Sequence, residues 1–272
     1  MTLFERPTTT YDVPQEAVDH ILKDNANPLL HIARSLPNDA AVLDIGSGSG
    51  LLPLISSLLG RHTVFDAIEP NEYAAEVARP RYRDYHVGHA ADCPFLRAGR
   101  RYDFFVLADV LEHTPNPEAF LREILGYASP QTRILLSVPN VAFIAVRIAL
   151  LNGDFDYVDS GILERTHLRF FTRKTVEALV SGCSLHVSRL CLLQRDPYGT
   201  EVDVGQYPIR PMWRLARDEL ALTYQFLLEL SQSPCEARVE RYRAARSGGL
   251  WSLLRRARRR FSRTGPRTPE KR

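Results

Sequence analysis

What this chain of 272 residues lacks narrows its possibilities. Cysteine is scarce: Cys93, Cys183, Cys191 and Cys235 are widely spaced and form no CxxC pair. That excludes the common zinc-site and disulfide-framework patterns and fits a reducing compartment. No run approaches the roughly 20 uninterrupted apolar residues that a membrane span requires. The opening residues, MTLFERPTTTYDVPQ, have no apolar run behind a basic start, so no secretory leader is expected and a cytoplasmic location is. No internal repeat is visible.

What is present is ordinary in bulk and uneven in distribution. A 44% hydrophobic and 25% charged composition is that of a globular protein, and the length suits one α/β domain with an appendage. The net charge of +3 conceals a split. From Pro234 onward there are 13 Lys+Arg against 3 Asp+Glu, leaving 22 against 29 in the preceding residues. An acidic body and a basic tail call for separate explanations.

Residues 14–36 carry apolar positions at helical spacing, interrupted at Asn27-Pro28, and predict two short helices. Ala40 to Ile45 is a nearly all-apolar run, as expected of a parallel strand buried on both faces. It leads into Gly46-Ser47-Gly48-Ser49-Gly50 and a helix over Leu51 to Leu59. The alternation repeats: strands at His62 to Ile68, Tyr85 to Val87, Tyr102 to Ala108 and Arg133 to Val138, with helices at Glu72 to Ala78 and Pro117 to Tyr127. A helix over Arg173 to Ser181 has Thr172 as N-cap and Gly182 just past its end. Strands at Leu185 to Leu193 and, after a short helix around Met212 to Glu219, at Thr223 to Leu230 complete the pattern. The last of these residues also suit a helix. The fold expected is Rossmann-like α/β: a seven-stranded, mostly parallel sheet with helices on both faces. The organisation is a helical segment over 1–39, a domain over 40–231 with a lid around 141–165, and a basic tail over 232–272, partly helical or disordered.

Glycines after a buried strand let the chain turn sharply and bring backbone N–H groups to a ligand at a helix N-terminus. Nucleotide, flavin and S-adenosylmethionine sites all use such turns. Two acidic residues narrow the choice. Asp44 precedes the first glycine, and Glu69 ends the next strand in Phe65-Asp66-Ala67-Ile68-Glu69-Pro70-Asn71, where a carboxylate can accept both hydroxyls of a ribose. GxGxG in place of GxGxxG argues against an NAD-dependent oxidoreductase.

VLDIGSGSG resembles the first motif of the class I S-adenosylmethionine-dependent methyltransferases, and AIEPN their ribose-binding strand end. YDFFVLADVLEHTPNP, residues 102–117, and RTHLRFFTRKTVEALVSG, residues 165–182, are similar to one subgroup, which contains quinone-biosynthesis O-methyltransferases and enzymes acting on sugars and other small molecules. The resemblance implies S-adenosylmethionine as cofactor. Gly46, Ser47, Gly48 and Gly50 would face its methionine part, with Asp44 reaching the amino group directly or through water. Glu69, followed by Pro70, would hold the ribose, and Leu107, Ala108 and Asp109 would lie along the cofactor. One departure concerns the adenine: His89 stands in Gly88-His89-Ala90-Ala91-Asp92 where the family often has an acidic residue, so Asp92 or a backbone carbonyl takes that contact.

A hydroxyl acceptor must lose its proton, and histidine suits that work. His167 in RTHLRFF and His113 in LEH are the candidate general bases; the alternative for each is a structural hydrogen bond. Asp154, Asp156 and Asp159 read as a solvated acidic lid, and no metal site is assigned. Cys93 reads as a small buried residue. In the tail, Leu250, Trp251, Leu253, Leu254, Ala257 and Phe261 gather on one side of a helix crowded with arginines. Such a segment attracts an anionic membrane face, though a disordered solubilising tail reads equally well. Nucleic acid is not the expected partner, because no added recognition domain is present. The reading reached is O-methylation of a small or glycan-type acceptor. The alternatives are a quinone or phenol acceptor, or a non-catalytic methyltransferase-like partner protein.

Overall fold

Short apolar runs must be covered on both faces, and the chain achieves this with an eight-stranded sheet flanked by helices. The computed structural model describes residues 13–206 and 218–244. The strands are β1 (Ala41–Ile45), β2 (Val64–Glu69), β3 (Asp84–Val87), β4 (Phe104–Ala108), β5 (Arg133–Pro139), β6 (His186–Gln194), β7 (Thr223–Ser231) and β8 (Arg238–Arg243). Their spatial order is β3-β2-β1-β4-β5-β7-β6-β8. The first five run parallel, β7 is antiparallel to β5 and β6, and β8 is parallel to β6. The helices are α1 (Gln15–Lys23), α2 (Pro28–Ser35), α3 (Leu51–Leu58), α4 (Glu72–Ala78), α5 (Pro94–Arg97), α6 (Pro117–Leu125), α7 (Ile144–Leu151) and α8 (Arg173–Gly182).

Alternate residues of each buried strand enter different cores. Leu43, Phe105 and Leu136 pack with Leu121, Ile124, Val176 and Val180 of α6 and α8. Val42, Val106 and Leu135, one residue away, pack with Ile21, Leu30, Ile32 and Ile55 of α1, α2 and α3. Helices therefore cover both faces, as expected. The break between α1 and α2 is chemical: Asn27 accepts the Leu29 N–H at 3.0 Å, and Pro28 opens the second helix. Thr172 caps α8 through a reciprocal pair with Thr175, although Gly182 is the last helical residue rather than the one beyond it.

The strand count departs from expectation. An eighth strand, β8, lies within the stretch read as tail. RVERYR is charged because β8 is a sheet edge, mostly exposed, where charge discourages further pairing. Two side chains fasten it: Tyr242 packs on His31 with ring centroids 3.9 Å apart, and Glu240 lies 3.6 Å from Arg189. Thr223–Ser231 is a strand, which resolves the helix-or-strand ambiguity there. The helix expected at 212–219 falls largely, and the amphipathic segment at 250–261 wholly, outside the described residues.

The lid expected over 141–165 has a core of its own. Phe143, Ile144, Val146 and Ile148 of α7 and its approach pack with Ile162, Leu163, Val204 and Ala221. Asn140 anchors its base, donating its side-chain N–H to the Thr223 carbonyl at 2.7 Å, and Val141 N–H bonds the Phe171 carbonyl.

Asp66, in the middle of β2, is completely buried. Its carboxylate accepts from Arg83 (2.9 and 2.5 Å), Arg100 (2.8 Å), Tyr102 (2.7 Å) and the Asp84 N–H (3.1 Å). Burial alone would raise its pKa, but the arginine and tyrosine bonds outweigh burial and hold the carboxyl below its ordinary value. The stabilisation is therefore complete above the unfolded value of about 3.9 and fades as pH falls through the lower folded value. Asp66→Asn should lower stability by about 2–4 kcal/mol at pH 7, with the difference from wild type shrinking below about pH 4. Denaturant unfolding across pH measures this, and equal stability at pH 7 would show that the cluster does not hold β2 and β3.

Candidate active site at the carboxyl ends of the parallel strands

Strand order reverses between β1 and β4: β2 and β3 lie to one side of β1, β4 and β5 to the other. Ligands of open α/β sheets bind outside the carboxyl ends at such a switch point. Here the glycine turn sits. Gly46, Gly48 and Gly50 have φ of +72°, +51° and +72°, the left-handed region. A Cβ at Gly46 would lie 2.7 Å from Val110 Cγ2, and one at Gly50 would lie 3.1 Å from the Ala78 backbone. Glu69, at the tip of β2, ties the turn down: Oε2 accepts the Gly48 N–H and Oε1 the Asn71 N–H, each at 2.9 Å.

Asp44 is 3% exposed, and its Oδ2 accepts the Tyr82 hydroxyl at 2.6 Å. Burial pushes its carboxyl up to about 7; the tyrosine bond opposes this and the nearby Glu69 charge adds to it. Ser47 Oγ bonds the Tyr85 hydroxyl at 2.8 Å, and the two tyrosine rings meet edge to face at 5.3 Å. Burial pushes the Tyr85 phenol up to about 12, so both tyrosines stay protonated donors at neutral pH. Sequence reading missed this pair. RYRDYH carries two aromatics beside a weak strand, and nothing in one sequence says that they turn toward β1.

The second half of the site follows β4. Asp109 has φ +56°, unusual for a residue with a side chain. Its Oδ1 accepts from Ser137 Oγ at 2.7 Å and Gln225 Nε2 at 2.5 Å, and burial raises its pKa despite these bonds. The 3-10 turn Leu111–His113 follows. Its backbone is clasped by residues 164–169: the Glu112 carbonyl accepts Leu168 N–H at 2.7 Å and Arg169 N–H at 3.0 Å. This clasp brings the two expected histidines together, with His113 and His167 ring centroids 4.7 Å apart. His167 is buried, and its Nδ1 lies 2.9 Å from the Ile162 carbonyl. Glu112 completes the group. It is 1% exposed, and neither carboxylate oxygen meets a hydrogen-bond partner in any other described residue. Burial, with the Asp109 charge adding, pushes its pKa well above the carboxylate range.

The remaining expected residues divide. Pro70 and Asp92 are exposed beside the tips of β2 and β3, and Ala108 is half-buried at the end of β4. Leu107 has its side chain fully sealed in the core with α6 and α8, so its backbone alone is available to a ligand. The period-2 alternation of a buried strand turns it away. Cys93 is buried, as read.

The family described as methyltransferase domain matches residues 15–185. Ubiquinone biosynthesis O-methyltransferase of Xanthomonas axonopodis pv. citri is 30% identical over 129 residues, 45% of this chain and 53% of that protein. The chain thus spans about half the length of that relative. The protein of the same name from Parvibaculum lavamentivorans is 27% identical over 186 residues, covering 66% of this chain and 68% of its own. Among solved structures, magnesium protoporphyrin IX methyltransferase of Synechocystis PCC 6803, with bound SAH, superposes with a TM-score of 0.53 at 13% identity, over 84% of this chain and 92% of that one. At that identity the likeness shows the fold.

A folded-state pKa raised to about 7 makes Asp44 a destabilising group once ionised. Its contribution is most favourable below the unfolded value of about 3.9 and is lost as pH rises toward 7. Asp44→Asn should therefore gain stability relative to wild type between pH 4 and 7, by an amount on the order of a few kcal/mol. Tyr82→Phe, lacking the hydroxyl that favours the ionised form, should shift this titration upward. Unfolding curves at several pH values test both, and a pH-independent difference for Asp44→Asn would contradict the assignment.

Proposed function

This chain belongs to the S-adenosylmethionine-dependent methyltransferases, and from that premise we propose that it methylates a hydroxyl oxygen of a small acceptor, a phenol- or quinol-type one before a glycan. The carrying observation is the group Asp109, Glu112, His113 and His167, gathered beside the glycine turn where an acceptor would meet the cofactor. Gly46 and this group are neighbours, since the Gly46 position packs on Val110, two residues before Glu112.

The turn fits the cofactor. Each Glu69 oxygen accepts one backbone N–H and keeps a lone pair for a ribose hydroxyl. Asp44 would supply the negative charge for the methionine ammonium, and Gly48, where a Cβ would meet nothing within 4 Å, leaves room for close approach beside Ser47. Pro70, Asp92, the backbone of Leu107 and Ala108, and Asp109 would line the rest. When bound, S-adenosylmethionine would supply an electrophilic methyl group for the acceptor oxygen, with the thioether S-adenosylhomocysteine as leaving group. The chain orients the acceptor and removes its hydroxyl proton, which falls to the His113–His167 group. A wall of edge-to-face aromatics runs outward from it: His167 to Phe170 (6.4 Å), Phe170 to Phe155 (5.6 Å), and Phe155 to Tyr157 (5.6 Å), with Tyr157 exposed. Such a wall suits an aromatic acceptor, and the relatives named for ubiquinone biosynthesis support the same class.

Among the described residues no helix is long and apolar enough to cross a membrane. Contact of the basic tail with an anionic membrane face, with the protein otherwise cytoplasmic, is a reading supported by the pattern of Leu250 to Phe261 alone.

Isothermal titration with S-adenosylmethionine should show micromolar binding that Gly46→Arg abolishes and Glu69→Ala weakens about 10–100-fold. With labelled cofactor, methyl transfer to catechol-type acceptors should exceed that to sugars. Transfer to sugars alone would move the acceptor to the glycan class, and a folded wild type that binds no cofactor would overturn the reading.

A further inference from the structure

We propose that a recess at the amino end of the sheet, beneath α2, binds the phosphoryl group of an organic phosphate. The recess has a volume of about 400 Å³, within the range of small-molecule sites, and is lined in part by Arg34, Arg133 and Arg189. It lies at the end of the sheet opposite the glycine turn, shares no residue with the candidate active site and does not depend on the methyltransferase reading.

Strand register gathers the cations. Arg189 of β6 stands opposite Glu229 of β7 on one side and opposite Arg238 of β8 on the other. Glu229 also pairs with Leu135, two residues beyond Arg133 at the start of β5. Cross-strand partners share a face, as do residues two apart in a strand, so Arg133, Arg189 and Arg238 line up along one face. That face is the one covered by α1, α2 and α3, since Leu135, Cys191 and Leu227 belong to their core. Arg34, in the last turn of α2, adds a guanidinium from above, and Ser35 Oγ accepts from Arg189 at 2.5 Å.

Carboxylates do not balance this row. Glu229 is buried and shared: it pairs with Arg133 and, at 3.0 Å, with Arg189, while Glu240 stands 3.6 Å from Arg189. The side chains of Arg34 and Arg238 are paired with no described residue. The wall of the recess therefore sets three guanidinium groups, Arg34, Arg133 and Arg189, against the one carboxylate of Glu229. Neighbouring groups register the excess. Burial and the Arg189 charge lower the pKa of Arg133, and burial with the Arg34 and Arg189 charges lowers that of His31.

A phosphate dianion answers that excess in full, where a carboxylate would answer half of it. Its tetrahedral oxygens accept guanidinium forks from several directions, which is how the strands and α2 present them. The organic remainder would lie on His31 and Tyr242, whose rings meet at 3.9 Å in the same wall.

Inorganic phosphate is the probe, titrated calorimetrically into the full chain in phosphate-free buffer. One equivalent should bind, about tenfold or more tighter than acetate. Affinity should fall about tenfold or more in Arg34→Ala and be lost in Arg34→Glu, changes that leave the Glu229 ion pairs intact. Arg97→Ala, exposed at the end of α5 across the sheet, should bind as wild type does. Phosphate should raise the melting temperature of wild type and leave that of Arg34→Glu unchanged. No binding by folded wild type, or binding that Arg34→Glu leaves intact, as attraction to the basic tail would, overturns the assignment. Pelleting with phosphatidic acid vesicles separates the sources of the phosphoryl group: pelleting weakened by Arg34→Ala assigns it to a lipid headgroup, and unchanged pelleting to a soluble compound. S-adenosylmethionine should bind Arg34→Glu and wild type alike, and failure to bind it would overturn the proposed function alone.

Discussion

The hydrogen bond from Gly48 N–H to the Glu69 carboxylate is the constraint on which the site depends. Parallel pairing sets Asp44 opposite Ala67 and Ile45 opposite Ile68, so β1 and β2 end side by side and deliver two acidic residues to one edge. The chain must then reverse into α3 without crossing β2. Three left-handed glycines make that turn, and Glu69 locks it by accepting the Gly48 N–H, two residues beyond the Gly46 N–H that bonds the Ile68 carbonyl. Loss of this tie would release the turn and move Asp44, Ser47 and the two tyrosines together.

Buried carboxylates on β1 and β2 show how the protein divides its charge. Asp66 is surrounded by cationic and hydroxyl donors, and its pKa falls; Asp44 has one phenol, and its pKa rises to about 7. Burial acts in the same direction on both, so the donors decide the sign. Asp66 is satisfied by the fold itself and stabilises it. Asp44 and Glu112 are left short of partners, which costs stability in the free protein and favours whatever supplies the missing charge. The carboxyl edge of the parallel strands is thus the edge the fold leaves electrostatically incomplete.

Much of the sheet was legible because burial on both faces leaves unmistakable apolar runs: AVLDI, FFVLA and RILLSV each became a strand close to its expected limits. The same property hid the side-chain directions. Leu43 and Val42 look alike in sequence yet enter different cores, and nothing in the run FFVLA says that the Leu107 side chain faces α6 and α8. β8 was hidden by its charge, since an edge strand needs little apolar surface. The glycines, Asp44 and Glu69 were legible because turns at strand ends demand specific residue types. Tyr82, Gln225 and the meaning of Glu112 were not, because each acts on a partner distant in sequence.

The boundary of the family match carries a further consequence. It ends at residue 185, before β6, yet Asp109 is held by Gln225 from β7, and Asn140, at the base of the lid, by the Thr223 carbonyl. The carboxyl-terminal strands therefore do more than extend the sheet. Gln225 holds Asp109 at the head of the segment that leads from β4 to Glu112 and His113. The glycine turn rests on the ends of β1 and β2, whereas the group proposed to meet the acceptor lies beside the 141–165 segment and its hydrophobic cluster, where His167 meets Phe170. Substitutions in that cluster or in β7 would act on the proposed acceptor side rather than on the glycine turn.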